Sequence, residues 1–88
     1  MLQRDFLLGE KKYIKFKATS CDNAPVVITE ATYKLFADNV LSDTGSCTVN
    51  GNEFMALIEP KEPGDYILEA EYTVAPEIRK VRVAIHVT

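Results

Sequence analysis

The chain has 88 residues, 47% of them hydrophobic and 26% charged, with ten Lys and Arg against thirteen Asp and Glu for a formal net charge of −3. That length suits a single domain, residues 1–88, and the mild acidity argues against nucleic acid as a partner, because phosphate binding draws on clustered Lys and Arg. No stretch approaches the roughly 20 consecutive apolar residues of a membrane span, and Asp5 falls where a secretory signal needs an apolar run, so the expectation is a cytoplasmic protein without a membrane partner.

From the start, Gln3 to Leu8 carries Phe6, Leu7 and Leu8 before Gly9, a short first strand expected at a sheet edge. Lys11 to Ser20 then alternates, with Ile14, Phe16 and Ala18 on one parity and Lys11, Tyr13, Lys15 and Lys17 on the other, which predicts a strand with a basic outer face. Cys21 to Pro25 is turn chemistry. Val26 to Ala37 places Ala31, Tyr33 and Leu35 on one parity and Thr32, Lys34 and Phe36 on the other, and its β-branched and aromatic content favours a strand over a helix. Asp38 to Gly45 reads as a polar connection.

Ser46 to Val49 and Phe54 to Glu59 flank Asn50-Gly51-Asn52-Glu53, and Asn-Gly between apolar runs is a strong hairpin signal. A four-residue loop sets Val49 opposite Phe54 and Cys47 opposite Ala56, which keeps the faces consistent. The run Phe54-Met55-Ala56-Leu57-Ile58 does not alternate, so it brings apolar side chains to both faces. Pro60 to Gly64 then forces a chain reversal.

The strand that follows is the clearest of the chain, with Tyr66, Leu68, Ala70, Tyr72 and Val74 on one parity and Asp65, Glu69, Glu71 and Thr73 on the other. After Ala75-Pro76 the alternation resumes with Val81, Val83, Ile85 and Val87 against Lys80, Arg82, Ala84 and His86. Pairing Thr73 with Ile78 sets Leu68 opposite Val83, Ala70 opposite Val81, Glu69 opposite Arg82 and Glu71 opposite Lys80, with Val74 to Glu77 as the loop. A slip of one residue would turn Tyr72 onto Lys80, and a slip of two would lose one of two opposite-charge pairs, each worth ~0.2–1 kcal/mol.

About seven short strands without a helix predict an all-β antiparallel sandwich. The corner Gly64-Asp65-Tyr66 and the two strands after it resemble the last two strands of immunoglobulin-like and fibronectin-type sandwiches. That resemblance implies an immunoglobulin-like fold in which Tyr66 is the corner tyrosine that bonds back to upstream backbone. The antibody hallmarks are absent, since the chain has no Trp and Cys21 and Cys47 fall off the two strands that carry the inter-sheet disulfide, so the likeness is to bacterial or viral modules. The opening Gln3-Arg4-Asp5-Phe6 and the hairpin exit Glu77-Ile78-Arg79-Lys80 are similar to small accessory proteins of tailed bacteriophages and prophages.

Catalytic and metal chemistry finds no set of residues. His86 is the only histidine, on a wet parity, too few for a His-based triad or a two-histidine copper site. Glu69 and Glu71 share a face, but a glycosidase pair also needs a cleft, and with Arg82 and Lys80 opposite them cross-strand pairing is the better reading. Asp38, Asn39 and Asp43 match no calcium-loop spacing, the four glycines stand apart and make no phosphate cradle, and Tyr13 among lysines fits a solvated strand face. Cys21 and Cys47 read as reduced, partly buried thiols.

The expected function is therefore non-enzymatic and cofactor-free: a structural or interaction protein, phage- or prophage-encoded and virion-associated, whose partner is itself, as a homo-oligomer, or a larger protein assembly. Phe6, Leu7, Leu8, Met55 and Leu57 are the candidate interface, being more apolar surface than one thin core needs. The alternative is a glycan- or peptide-binding module reading its ligand with the loops Cys21 to Pro25, Asp38 to Gly45 and Val74 to Glu77.

Overall fold

The computed structural model describes residues 2–18 and 26–88. Within them the chain forms eight strands: β1 Leu2–Phe6, β2 Lys12–Lys17, β3 Glu30–Ala37, β4 Val40–Ser46, β5 Thr48–Asn50, β6 Glu53–Ile58, β7 Gly64–Val74 and β8 Glu77–Val87. They make two sheets, one of five strands in the order β1-β8-β7-β3-β4 and one of three in the order β2-β6-β5.

The long hairpin β7–β8 has the register that its alternation and charges require, with Leu68 opposite Val83, Glu69 opposite Arg82, Glu71 opposite Lys80 and Thr73 opposite Ile78. Its inward residues Tyr66, Leu68, Ala70, Val83, Ile85 and Val87 are buried. From β3 they are joined by Ala31, Tyr33 and Leu35, and from the smaller sheet by Ile14, Phe16, Phe54, Ala56 and Ile58. Phe54 links the layers: its ring stacks on Phe16 at 4.8 Å and meets Tyr72 of the other sheet at 4.9 Å. This aromatic contact lies in the core of a chain that has no Trp.

The structure corrects several expectations. β1 runs parallel to β8, Leu2 opposite Val83 and Phe6 opposite Val87, so the sandwich is not purely antiparallel. Asp38 to Gly45 is not a connection. Asp38 and Asn39, with φ of 49° and 66°, form a two-residue turn, and β4 returns beside β3. Positive φ at both central positions is the hairpin geometry that Asp and Asn tolerate best among residues with a Cβ. Of eight strands, β4 is the one a count of seven leaves out. The β7–β8 loop shrinks to Ala75-Pro76, because Val74 pairs with Glu77. Asn50 likewise pairs with Glu53, leaving Gly51-Asn52 as the turn.

Cys47 does not face Ala56. Its N–H donates to Ala31 O at 2.9 Å, in the larger sheet, so the chain changes layers at Cys47 and β5 begins only at Thr48. The Gly51-Asn52 turn binds more than its own hairpin. Gly51 O accepts from Ile28 N (2.9 Å) and Asn52 O from Ala18 N (2.8 Å), while Asn52 Nδ2 donates to Ala18 O at 3.3 Å. At the opposite corner the Tyr66 hydroxyl donates to Glu62 O at 2.8 Å, fixing the reversal that leads into β7.

Candidate functional site

Cross-strand register lines up one row of residues over the outer face of the five-stranded sheet. Gln3 of β1 lies opposite Ala84 of β8, Ala84 opposite Ile67 of β7, Ile67 opposite Phe36 of β3, and Phe36 opposite Leu41 of β4. Four of the five are apolar and none is fully buried, and exposure reaches 51% at Leu41. Neighbouring Val40 is also exposed.

The sheet surface is hollowed on both sides of Phe36. A depression of about 400 Å³ is bordered by Gln3, Asp38, Asn39, Asp65 and His86, and one of about 240 Å³ by Asn39, Glu69 and Arg82. Charged pairs rail the row. On one side His86 Nδ1 meets Asp65 Oδ1 at 2.6 Å, an exposed imidazole–carboxylate contact. On the other, Glu69 sits 3.7 Å from Arg82 and 3.5 Å from Lys80, which also reaches Glu71 at 3.9 Å. Exposed pairs of this kind stabilise by about 0–1 kcal/mol each, so their main effect here is to set a polar border around an apolar floor.

The residues expected to form the interface fall in three places. Phe6 is in the core at 2% exposure, because β1 turns its side chain inward beside Val87, and Lys12 Nζ covers the ring at 4.4 Å, so it leaves the candidate surface. Leu7 and Leu8, 63% and 50% exposed, stand in the turn between the sheets that Gly9 (φ 95°) and the bond from Glu10 N to Leu7 O close. Met55 and Leu57 are half-buried on the outer face of the smaller sheet, opposite Lys15 and Tyr13. The row through Phe36 and Ile67 escaped detection from sequence because each member occupies the wet parity of its own strand; the signal was an apolar residue out of pattern in three neighbouring strands.

The loops expected to share one reading end do not. Glu30 at the start of β3 lies opposite Thr73, close to the Ala75-Pro76 turn, whereas Ala37 lies opposite Tyr66, so the Asp38-Asn39 turn is at the other end. Cys21 to Pro25 lies outside the described residues. Cys47, half-buried, has its thiol pushed up to about 11 by burial, which leaves little reactive thiolate at neutral pH.

Three partly exposed carboxyls are held below their usual range: Glu10 chiefly by the Leu7 backbone N–H, Glu53 by Lys15, and Glu59 by Lys61. A folded-state pKa below the unfolded value adds stability above the unfolded pKa and loses it as pH falls through the folded one. Melting temperature should therefore hold steady at about pH 6 and fall progressively below about pH 4.5. Glu53→Gln, which removes one of the three, should flatten that fall in a thermal melt series; an unchanged slope would show that Glu53 does not take part.

No protein-family model matches the chain, and no curated protein matches it in sequence.

Proposed function

We propose that the protein is a non-catalytic docking module on an immunoglobulin-like sandwich, binding a second copy of itself or a larger protein assembly through the outer face of its five-stranded sheet. An accessory role in a virion or prophage-encoded particle is the setting this reading has in view. The observation that carries it is the continuous row Ala84–Ile67–Phe36–Leu41, an apolar floor between charged borders on the outer face of the larger sheet. The immunoglobulin-like reading is supported by the two-layer strand order, by β1 lying parallel beside β8, and by the Tyr66 bond to Glu62 O. Reading by loops is disfavoured, since the turns at 38–39 and 75–76 lie at opposite ends.

Ile67→Asp places a charge in the middle of the floor at a position that is not fully buried. Light scattering across a wide concentration range should show a closed oligomer for the unaltered protein and a monomer for Ile67→Asp, with far-UV circular dichroism unchanged. Leu57→Asp, on the other sheet, should stay oligomeric. If Ile67→Asp associates as well as the unaltered protein, this face is not the contact, and if only Leu57→Asp dissociates, the contact belongs to the smaller sheet.

A further inference from the structure

The two sheets stay open to each other along the side formed by β4 and β6, where a cleft of about 330 Å³ is lined by Tyr33, Asp43 and Ser46 from one layer and Leu57, Glu59 and Lys61 from the other, with Lys11 at its margin. Its chemistry follows from a mismatch in strand length. β5 has three residues and covers β6 only from Glu53 to Met55. A hairpin with a two-residue turn closes on a pair that exchanges both backbone hydrogen bonds, so Asn50–Glu53 and Thr48–Met55 are such pairs and the odd-numbered residues of β6 aim their backbone at the β5 side. Leu57 is next in that series. Cys47, which would have been its neighbour's partner, has crossed to Ala31 O, so among the described residues Leu57 N–H and C=O meet no strand on that side.

Unpaired strand backbone is a template for another strand, and the other edges are guarded against one. β2 carries Lys12, Lys15 and Lys17. β1 carries Arg4 and Asp5. β4 has a register shift opposite Leu35 and Phe36, and its Thr44 N–H is already bonded by Asp43 Oδ1 at 2.9 Å. The open stretch at Leu57 is bordered instead by one ion pair, Lys61 with Glu59 at 2.6 Å, in which the lysine charge is already met by a carboxylate.

The geometry points to this cleft as a binding site for an extended peptide segment that adds to β6 in line with β5 and pairs its backbone with Leu57. A peptide residue opposite Leu57 directs its side chain to the outer face, beside Leu57 and the aliphatic stem of Lys61, which suits an apolar residue. Its neighbours point between the sheets, toward Asp43, whose Oδ2 accepts from the Tyr33 hydroxyl at 3.4 Å. The cleft carries charges of both signs, with Lys61 held by Glu59 and Lys11 at the margin, and Asp43 is the one charged group that the larger sheet brings to it, so a Lys or Arg facing that sheet meets a carboxylate. Backbone pairing would supply affinity and this basic–apolar–basic alternation the selectivity.

The probe is an acetylated and amidated pentapeptide with valine at its centre, lysine on each side and threonine at both ends, titrated into the full chain and followed by amide NMR. In the free protein the Leu57 amide should exchange with solvent far faster than those of Ala56 and Ile58, which aim at β2. Adding the peptide should shift the Leu57 and Ser46 amides saturably and slow Leu57 exchange by roughly tenfold or more. Methylating the nitrogen of the central valine should abolish these effects, and Asp43→Asn should weaken binding by roughly threefold or more, as expected for loss of an exposed charge pair. The site is refuted if Leu57 is already protected in the free protein, if the N-methylated peptide binds as well as its parent, or if only a saccharide such as maltose shifts these amides.

Discussion

Phe54→Ala is expected to lower the unfolding free energy by about 3–5 kcal/mol, the largest single loss available in this core. Phe54 is 1% exposed and lies near the middle of β6, stacked on Phe16 within its own sheet and tilted against Tyr72 from the opposite one. Truncation removes a ring's worth of buried apolar area and leaves a void between layers fixed by their backbone ladders, so collapse into the gap is limited. A domain of this size commonly has a total stability near the lower end of 5–15 kcal/mol, so the variant should sit close to its unfolding midpoint at about 37 °C. Urea denaturation followed by circular dichroism measures it, with Met55→Ala as the contrast, since Met55 is half-buried on the outer face and should cost far less. A loss below about 1.5 kcal/mol for Phe54→Ala would mean that the layers are held together elsewhere.

Gly45→Ala is expected to cost about 1–3 kcal/mol, for a reason unrelated to glycine's backbone freedom. Gly45 lies directly opposite Tyr33 across the β3–β4 pair, and a Cβ there would come within 3.0 Å of both Cε1 and Oη of the tyrosine. The ring must tilt away, weakening its bond to Asp43 and uncovering part of the core that it closes. With Tyr33→Val as background the obstruction is gone, and Ala at 45 should then be neutral or stabilise by up to about 1 kcal/mol through its lower backbone entropy in a strand. That change of sign, measured in a double-mutant cycle, separates ring obstruction from any general intolerance of β4 to substitution.

What the sequence made legible was decided by how much each strand buries. β7 and β8 alternate because one face of each is core, and Glu69 and Glu71 against Arg82 and Lys80 leave a single workable register, so this hairpin could be written residue by residue. β4 could not, because an edge strand with every residue but Gly45 exposed has no apolar face to betray it. Asp38-Asn39 also lacks the glycine that makes an Asn-Gly turn conspicuous. The parallel partnership of β1 with β8 was out of reach for another reason. Five residues with a single buried side chain carry too little pattern to choose a neighbour or a direction.

The interaction surface was hidden differently. Phe36, Ile67 and Ala84 each look like one stray apolar residue on a wet face when their strands are read singly. Only the register between strands assembles them into a line. Conversely, Phe6 reads as available surface because it stands in one apolar run with Leu7 and Leu8, yet parity separates it from Leu7 and sends it into the core.

The turn at Gly51-Asn52 has a practical consequence for protein engineering. It grips Ala18 and Ile28 through the carbonyls of adjacent residues, which ties the residue after β2 and the approach to β3 to one anchored point. The entropy of closing a loop between such fixed ends grows only with the logarithm of its length, about 0.6 kcal/mol for each doubling. Lengthening Gly51-Asn52 itself would cost more than that entropy, because it would also displace the two carbonyls that hold Ala18 and Ile28, so an insertion meant to leave the two sheets as they are belongs at another turn.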